Sequence, residues 1–145
     1  MRRALLVGLA LTALAGCGSS SLSDHDLRAD AAVACRHASQ RLSRIIQPAS
    51  ATAALPFLRR GIAVLGPELA ALRRLAPGTD LSAAYHATVA NFGAAVQRVR
   101  GTVAVLTSGG DPVASFTTLE HELTPIVAGE NAGWRRLQIP ACVSR

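Results

Sequence analysis

Residues 53–76 read Ala-Ala-Leu-Pro-Phe-Leu-Arg-Arg-Gly-Ile-Ala-Val-Leu-Gly-Pro-Glu-Leu-Ala-Ala-Leu-Arg-Arg-Leu-Ala. Within this stretch Leu55, Leu58, Ile62, Leu65, Leu69 and Leu72 recur at alternating steps of three and four. That period places all six on one stripe of an α-helix. Pro56 is tolerated only in a first turn, so the spacing predicts a start at Ala54 or Leu55. Gly66-Pro67 falls in the middle. A proline there deletes one backbone hydrogen bond and crowds the preceding turn. The leucine phase nevertheless continues unchanged on both sides, which predicts a kink and not a break. Pro77-Gly78 ends the segment.

The same period extends outward in both directions. Before it, residues 24–47 carry Leu27, Ala31, Ala34/Cys35, Ala38, Leu42 and Ile45/Ile46 at helical spacing. Ser23 or Asp24 is the expected cap, Asp24 and Asp26 suit the positive end of the helix dipole, and Pro48 stops the run. After it, residues 80–106 place Leu81, Tyr85, Thr88/Val89, Phe92, Val96, Val99, Val103 and Leu106 on one face, with Thr79 or Asp80 as N-cap. Ser108-Gly109-Gly110 reads as a turn. Asp111-Pro112 then opens a fourth helix with a capping Asp and a Pro at its first position. Its stripe is Phe116, Leu119, Leu123, Ile126/Val127, Trp134 and Leu137, and Pro125 is expected to bend it. No segment alternates convincingly like a strand. Four helices with short connections predict an all-α chain, an antiparallel up-down four-helix bundle over residues 24–145.

Residues 1–17 have a different character. Met1-Arg2-Arg3 is a short basic opening, and Ala4 to Leu14 is an apolar run too short to span a bilayer, which needs ~20 residues. Leu14-Ala15-Gly16-Cys17 follows. It resembles the lipobox of bacterial lipoproteins at all four positions. The resemblance implies that residues 1–16 are a signal peptide, that Cys17 carries a diacylglycerol anchor, and that the mature chain sits on the extracytoplasmic face of the cell membrane. Arg2-Arg3 lacks the flanking residues that would support the twin-arginine export route. Gly18-Ser19-Ser20-Ser21 continues as a flexible tether, assigned to residues 17–23.

Without the first sixteen residues, 129 remain, enough for one domain with a real core. All fifteen positive side chains are Arg, and thirteen belong to this part, giving a net charge of +4 against nine acids. Export and the scarcity of aromatic side chains for stacking bases argue against a nucleic-acid partner. After Cys17 the chain holds one pair of cysteines, Cys35 and Cys142, and an even pair in an exported domain points to a disulfide. In the bundle the last helix ends near the start of the first. A five-residue tail from Gln138 to Cys142 spans ~16 Å if extended, and Cys35 lies ~16 Å along the first helix. The pairing and the fold are therefore mutually consistent.

Catalytic and metal signatures are sparse. His25, His37, His86 and His121 lie on three different segments. Glu120-His121-Glu122 is neither HExxH nor the Glu-x-x-His of di-iron bundles, and adjacent helical residues diverge. Cys-x-x-Cys-His, Gly-x-Ser-x-Gly and a phosphate-binding Gly-Lys-Ser/Thr are absent. A non-enzymatic chain without a cofactor is expected. Arg59-Arg60 and Arg73-Arg74 are fourteen residues apart, nearly four turns, and project from one side of the second helix. They form a candidate strip for anionic lipid headgroups or wall polymers, and an ordinary solvated face accounts for the same residues. Arg135-Arg136 adds a third pair. Trp134 reads as a lid on the core beside the Cys142 tail.

The ending around Asn131, Ala132, Leu137, Ile139 and Cys142 resembles that of small, uncharacterised helical lipoproteins of high-GC Gram-positive bacteria, in which a helix runs into a tail ending at a Cys. That resemblance agrees with the bundle and implies no activity. Two expectations of function follow. One is a membrane-anchored, non-enzymatic interaction or structural module of the cell envelope, meeting an envelope protein or an anionic envelope polymer. The other is a carrier holding a small apolar ligand between kinked helices. An apolar cavity of at least ~300 Å³ would favour the carrier.

Overall fold

The computed structural model describes residues 21–143. The stretch expected to be a signal peptide (1–16), Cys17 and most of the expected tether lie outside the described residues. Four helices follow one another: α1 (Asp24–Leu42), α2 (Ala54–Arg74), α3 (Thr79–Thr107) and α4 (Pro112–Arg136). Three-residue 3-10 turns at Ala51–Ala53 and Pro140–Cys142 precede α2 and follow α4. Among the described residues there is no strand, only one isolated bridge between Leu22 and Pro77.

The caps explain the boundaries. Ser23 accepts a hydrogen bond from the Asp26 N–H and Asp111 accepts one from Ala114 N–H, each satisfying an orphan donor of a first turn. α2 begins at Ala54 and runs through Pro67 without interruption, as the leucine phase requires. α3 begins one residue earlier than its expected cap, with Gly78 as N-cap and Thr79 already helical. α1 is shorter than its pattern: it stops at Leu42, not Gln47. The Ser43 hydroxyl donates to the Gln40 carbonyl and competes with the helical ladder, while Pro48 bars Gln47 from helical geometry. Ile46 consequently stands 81% exposed and is no part of the core.

Two helix ends share one device. After α3, Gly109 adopts φ +88, Gly110 N–H reaches Val105 O and Gly109 N–H reaches Leu106 O. After α4, Gln138 adopts φ 61, Ile139 N–H reaches Trp134 O and Gln138 N–H reaches Arg135 O. Both are Schellman turns, and the second packs Ile139 near Trp134, the usual apolar accompaniment. The tail is therefore not extended. It reverses, buries Leu137 and Ile139, and delivers Cys142 to α1 through its 3-10 turn.

Cys35 and Cys142 form a disulfide with Cα atoms 5.1 Å apart. Around it lies the core: Leu27 and Ala31 of α1, Leu69 and Leu72 of α2, Tyr85, Val89, Phe92 and Val96 of α3, then Trp134, Leu137 and Ile139. These residues occupy the first half of α1, the end of α2, the first part of α3 and the end of α4. The core is concentrated at one end, whereas Val105 near the end of α3 and Val113 at the start of α4 are exposed apolar side chains, as is Ile46 in the loop after α1. Trp134 is fully buried, meets Tyr85 edge-on at 6.0 Å between centroids, and donates its indole N–H to Glu130 Oε1 at 2.9 Å. Tyr85 donates its hydroxyl to Leu72 O at 2.8 Å. Arg28 Nε donates to Leu137 O, tying α1 to the end of α4 a second time.

The chain enters this end as well. Leu22 N–H donates to Ala76 O at 2.7 Å, and Leu22 packs against the core. Among the described residues Leu22, within the segment expected as tether, is thus packed against the core. Among the described residues no helix is long and apolar enough to cross a membrane.

Candidate interaction site

The contact between α2 and α3 has a seven-residue register on both sides. Arg59 Nη2 of α2 donates to Thr107 Oγ1 of α3 at 3.0 Å. Seven residues on, Gly66 faces the Arg100 guanidinium, which lies 3.4 Å from where a Cβ at Gly66 would stand. Seven further, the Arg73 guanidinium lies across Gly93, 2.8 Å from the equivalent point. The matching α3 positions, Thr107, Arg100 and Gly93, are again seven apart. Each rung thus sets one arginine against one small partner. A seven-residue step is about 10 Å of helix rise, so three guanidinium stations follow the seam over about 21 Å.

Glycine makes two of these rungs close. A side chain at Gly93 would occupy the space that the Arg73 head now fills. The guanidinium heads themselves lie against the neighbouring helix, while Arg59, Arg73 and Arg100 as whole residues stay exposed.

Charge is distributed accordingly. α2 and α3 carry six arginines and two acids; the rest of the described chain carries six arginines and seven acids. The two acids do not offset the seam. Glu68 is buried and lines a crevice with Ala34, His37, Ala38 and Arg41 on the α1 side, and Asp80 sits in the first turn of α3. Among the described residues, the arginines in ion pairs are Arg28 with Asp24 and Arg98 with Glu122. Arg59, Arg73 and Arg100 belong to neither pair.

The other expected site residues fall as follows. Arg60 and Arg74 are exposed on α2, one position off the seam. Arg135 and Arg136 are exposed in the last turn of α4, where positive charge complements the helix dipole. The strip expected from Arg59, Arg60, Arg73 and Arg74 is thus resolved into two members turned toward α3 and two beside them. Arg100 joins from α3. Its signal in the sequence was the shared seven-residue offset of Gly93, Arg100 and Thr107, legible only once α2 and α3 are known to be neighbours.

Clefts elsewhere lie at the surface, among them one of about 650 Å³ along α4 beside Leu123, Thr124, Val127 and Ala128. An apolar crevice of about 190 Å³ lies among Leu65, Phe92, Val96, Leu123 and Val127 and reaches Cys142. A wider cleft of about 490 Å³ between α3 and α4 is bordered by Arg98, Asp111, Thr118 and Glu122. Among the described residues no three His, Cys, Asp or Glu side chains are grouped as metal ligands. His25 contacts Asp26, and the Ser23 hydroxyl and then His25 hold the Asp26 carboxyl below its usual range. Burial pushes the Tyr85 phenol well above its ordinary value. Glu68 and Glu130, both buried, were not anticipated from sequence; nothing in their spacing distinguishes them from solvated helix acids.

No protein-family model, curated protein or solved structure matches the chain.

Proposed function

We propose that this chain is a lipid-anchored, extracytoplasmic lipoprotein of the cell envelope, acting as a non-enzymatic interaction module on an antiparallel up-down four-helix bundle. The observation that carries the reading is the arginine seam of α2 and α3: an exposed, linear set of cations without carboxylate partners in ion-pair range among the described residues. Three features support the rest. Contacts between consecutive helices run in opposite order, as in Arg59 with Thr107 and Arg73 with Gly93, or Arg98 with Glu122 and Asn91 with Gly129. The Cys35–Cys142 bridge suits an oxidising compartment. The Leu14-Ala15-Gly16-Cys17 motif supplies an anchor five residues before Leu22, which packs against the core.

The carrier reading is the weaker one. The crevice that reaches into the core, about 190 Å³, falls short of the ~300 Å³ at which ligand pockets begin, and the larger clefts of about 490 and 650 Å³ are open to the surface and do not enclose a ligand. Two experiments test the proposal. Cys17→Ser is expected to abolish incorporation of labelled palmitate and to change membrane fractionation; a fully processed, membrane-bound variant would remove the anchor from the reading. A photo-crosslinking residue at Thr107, on the seam, is expected to capture an envelope component that the same residue at Ala128 of α4 does not. Equal capture at both positions would remove the seam.

A further inference from the structure

We infer that the α2–α3 seam is a binding site for a linear, phosphate-bearing polyanion, with Arg59, Arg100 and Arg73 each holding one anionic group. The inference deepens the interaction-module reading by naming the ligand class, and it rests on that reading for its biological setting alone. Three features point to this ligand. First, the guanidiniums stand in single file, about 10 Å apart in helix rise. A line of cations along the contact between two helices fits an extended chain; a membrane surface would be met by cations spread over a plane. Second, guanidinium is planar and offers paired donors that match phosphate oxygens bidentately, whereas a Lys would offer a point charge. Third, the charge along α2 and α3 is unbalanced, with six arginines against two acids, one of them buried on the opposite side and the other in a first turn. A mobile polyanion would supply the missing countercharge, and each phosphate engaged would release condensed counterions, making binding steeply salt-dependent.

The rungs also explain why the small partners are where they are. Gly66 and Gly93 let the Arg100 and Arg73 guanidiniums lie close to the neighbouring helix, and Thr107 holds Arg59, so each head is fixed at its own rung. Less rotamer freedom then remains to be lost on binding.

The test uses the full chain, purified in a neutral detergent, with long-chain inorganic polyphosphate as the probe and orthophosphate and tripolyphosphate as short controls. Binding is expected for the long chain, at least tenfold tighter than for tripolyphosphate. Arg59→Gln/Arg73→Gln/Arg100→Gln is expected to weaken it at least tenfold and to flatten the log–log salt dependence by about two, at roughly 0.7 per lost contact on a single-stranded polyanion. Arg60→Gln/Arg135→Gln/Arg136→Gln removes the same charge off the seam and is expected to change affinity less than threefold. Circular dichroism and urea midpoints check that both variants fold. Equal losses in the two triple variants would reduce the effect to net charge and overturn the site. So would binding to vesicles containing phosphatidylglycerol without binding to polyphosphate, which would make the partner a lipid surface. Both outcomes are independent of where Cys17→Ser fractionates, so failure of the seam and failure of the anchor are separable.

Discussion

Replacing Cys35 and Cys142 together by Ala removes a cross-link that closes a loop of 107 residues. In the chain-entropy model a cross-link of that span withholds about 4.7 kcal/mol of conformational entropy from the unfolded chain. The two sulfurs are fully buried at the centre of the core, so two small voids add a further loss on the order of 1 kcal/mol. A destabilisation of about 5 kcal/mol is comparable with the whole stability of many domains. At roughly 3–5 °C per kcal/mol for a chain of this size, the midpoint of thermal unfolding should fall by about 15–25 °C. Urea unfolding followed by circular dichroism separates the causes. An unfolded chain freed from the loop expands and exposes more surface, so the m-value should rise along with the fall in midpoint. Cys142→Ala alone should behave within about 1 kcal/mol of the double variant, because a lone buried Cys35 thiol packs as a small hydrophobe. A loss below about 2 kcal/mol with an unchanged m-value would refute the loop-entropy reasoning and assign the tail's attachment to Leu137, Ile139 and the Arg28 hydrogen bond instead.

Gly133→Ala should destabilise by about 1–2 kcal/mol, since the new methyl collides with the buried Thr88 side chain by more than its gain in helix propensity; Thr88→Ala in the same chain should recover most of the loss in a urea titration. Gln138→Gly should raise stability by about 0.5–1 kcal/mol, because φ 61 is a left-handed conformation that costs Gln but not Gly; a lower urea midpoint would count against the Schellman assignment. Tyr85 is the only tyrosine, and burial raises its folded-state pKa. The stability this confers is intact below about pH 10, the unfolded value, and is lost as pH climbs toward the folded value. Absorbance at 295 nm should therefore stay flat above pH 10 until the fold melts, and a free titration near pH 10 in the folded protein would contradict the burial.

The seam of α2 was legible because leucines at steps of three and four survive Gly66-Pro67 with their phase intact, and a helix continuing through that proline satisfies them. The caps at Ser23 and Asp111 were equally plain, since a short polar side chain before a polar first turn has a definite hydrogen-bonding partner. The end of α1 was not. Ile45 and Ile46 keep the helical period, but period reports what a helix would bury, not whether a wall exists to bury it against. The tail was misread for a related reason: Gln at a left-handed position carries no signature, and only the Trp134–Ile139 pairing across it hints at the turn. Arg59 and Arg73 could be placed on one side of α2 from their spacing alone. Arg100 could not, because membership of the seam depends on the register between two helices, which neither helix encodes separately. Glu68 and Glu130 were invisible because burial of a carboxylate depends on neighbours supplied by other segments.

The disulfide also fixes how the molecule carries tension. The chain enters at Leu22, runs a short way along α1, and at Cys35 meets the covalent bond to Cys142. Beyond that point α2, α3 and α4 form a closed ring of backbone. A pull between the N-terminal segment and anything held on the α2–α3 seam therefore divides at Cys35: one strand of load travels forward into α2, the other crosses the bridge and returns through α4 and α3. The Arg59, Arg100 and Arg73 stations sit inside the ring and draw on both strands, so unzipping one helix leaves the second path intact. If the proposed anchor and seam act together, this arrangement would spread a steady pull over both paths.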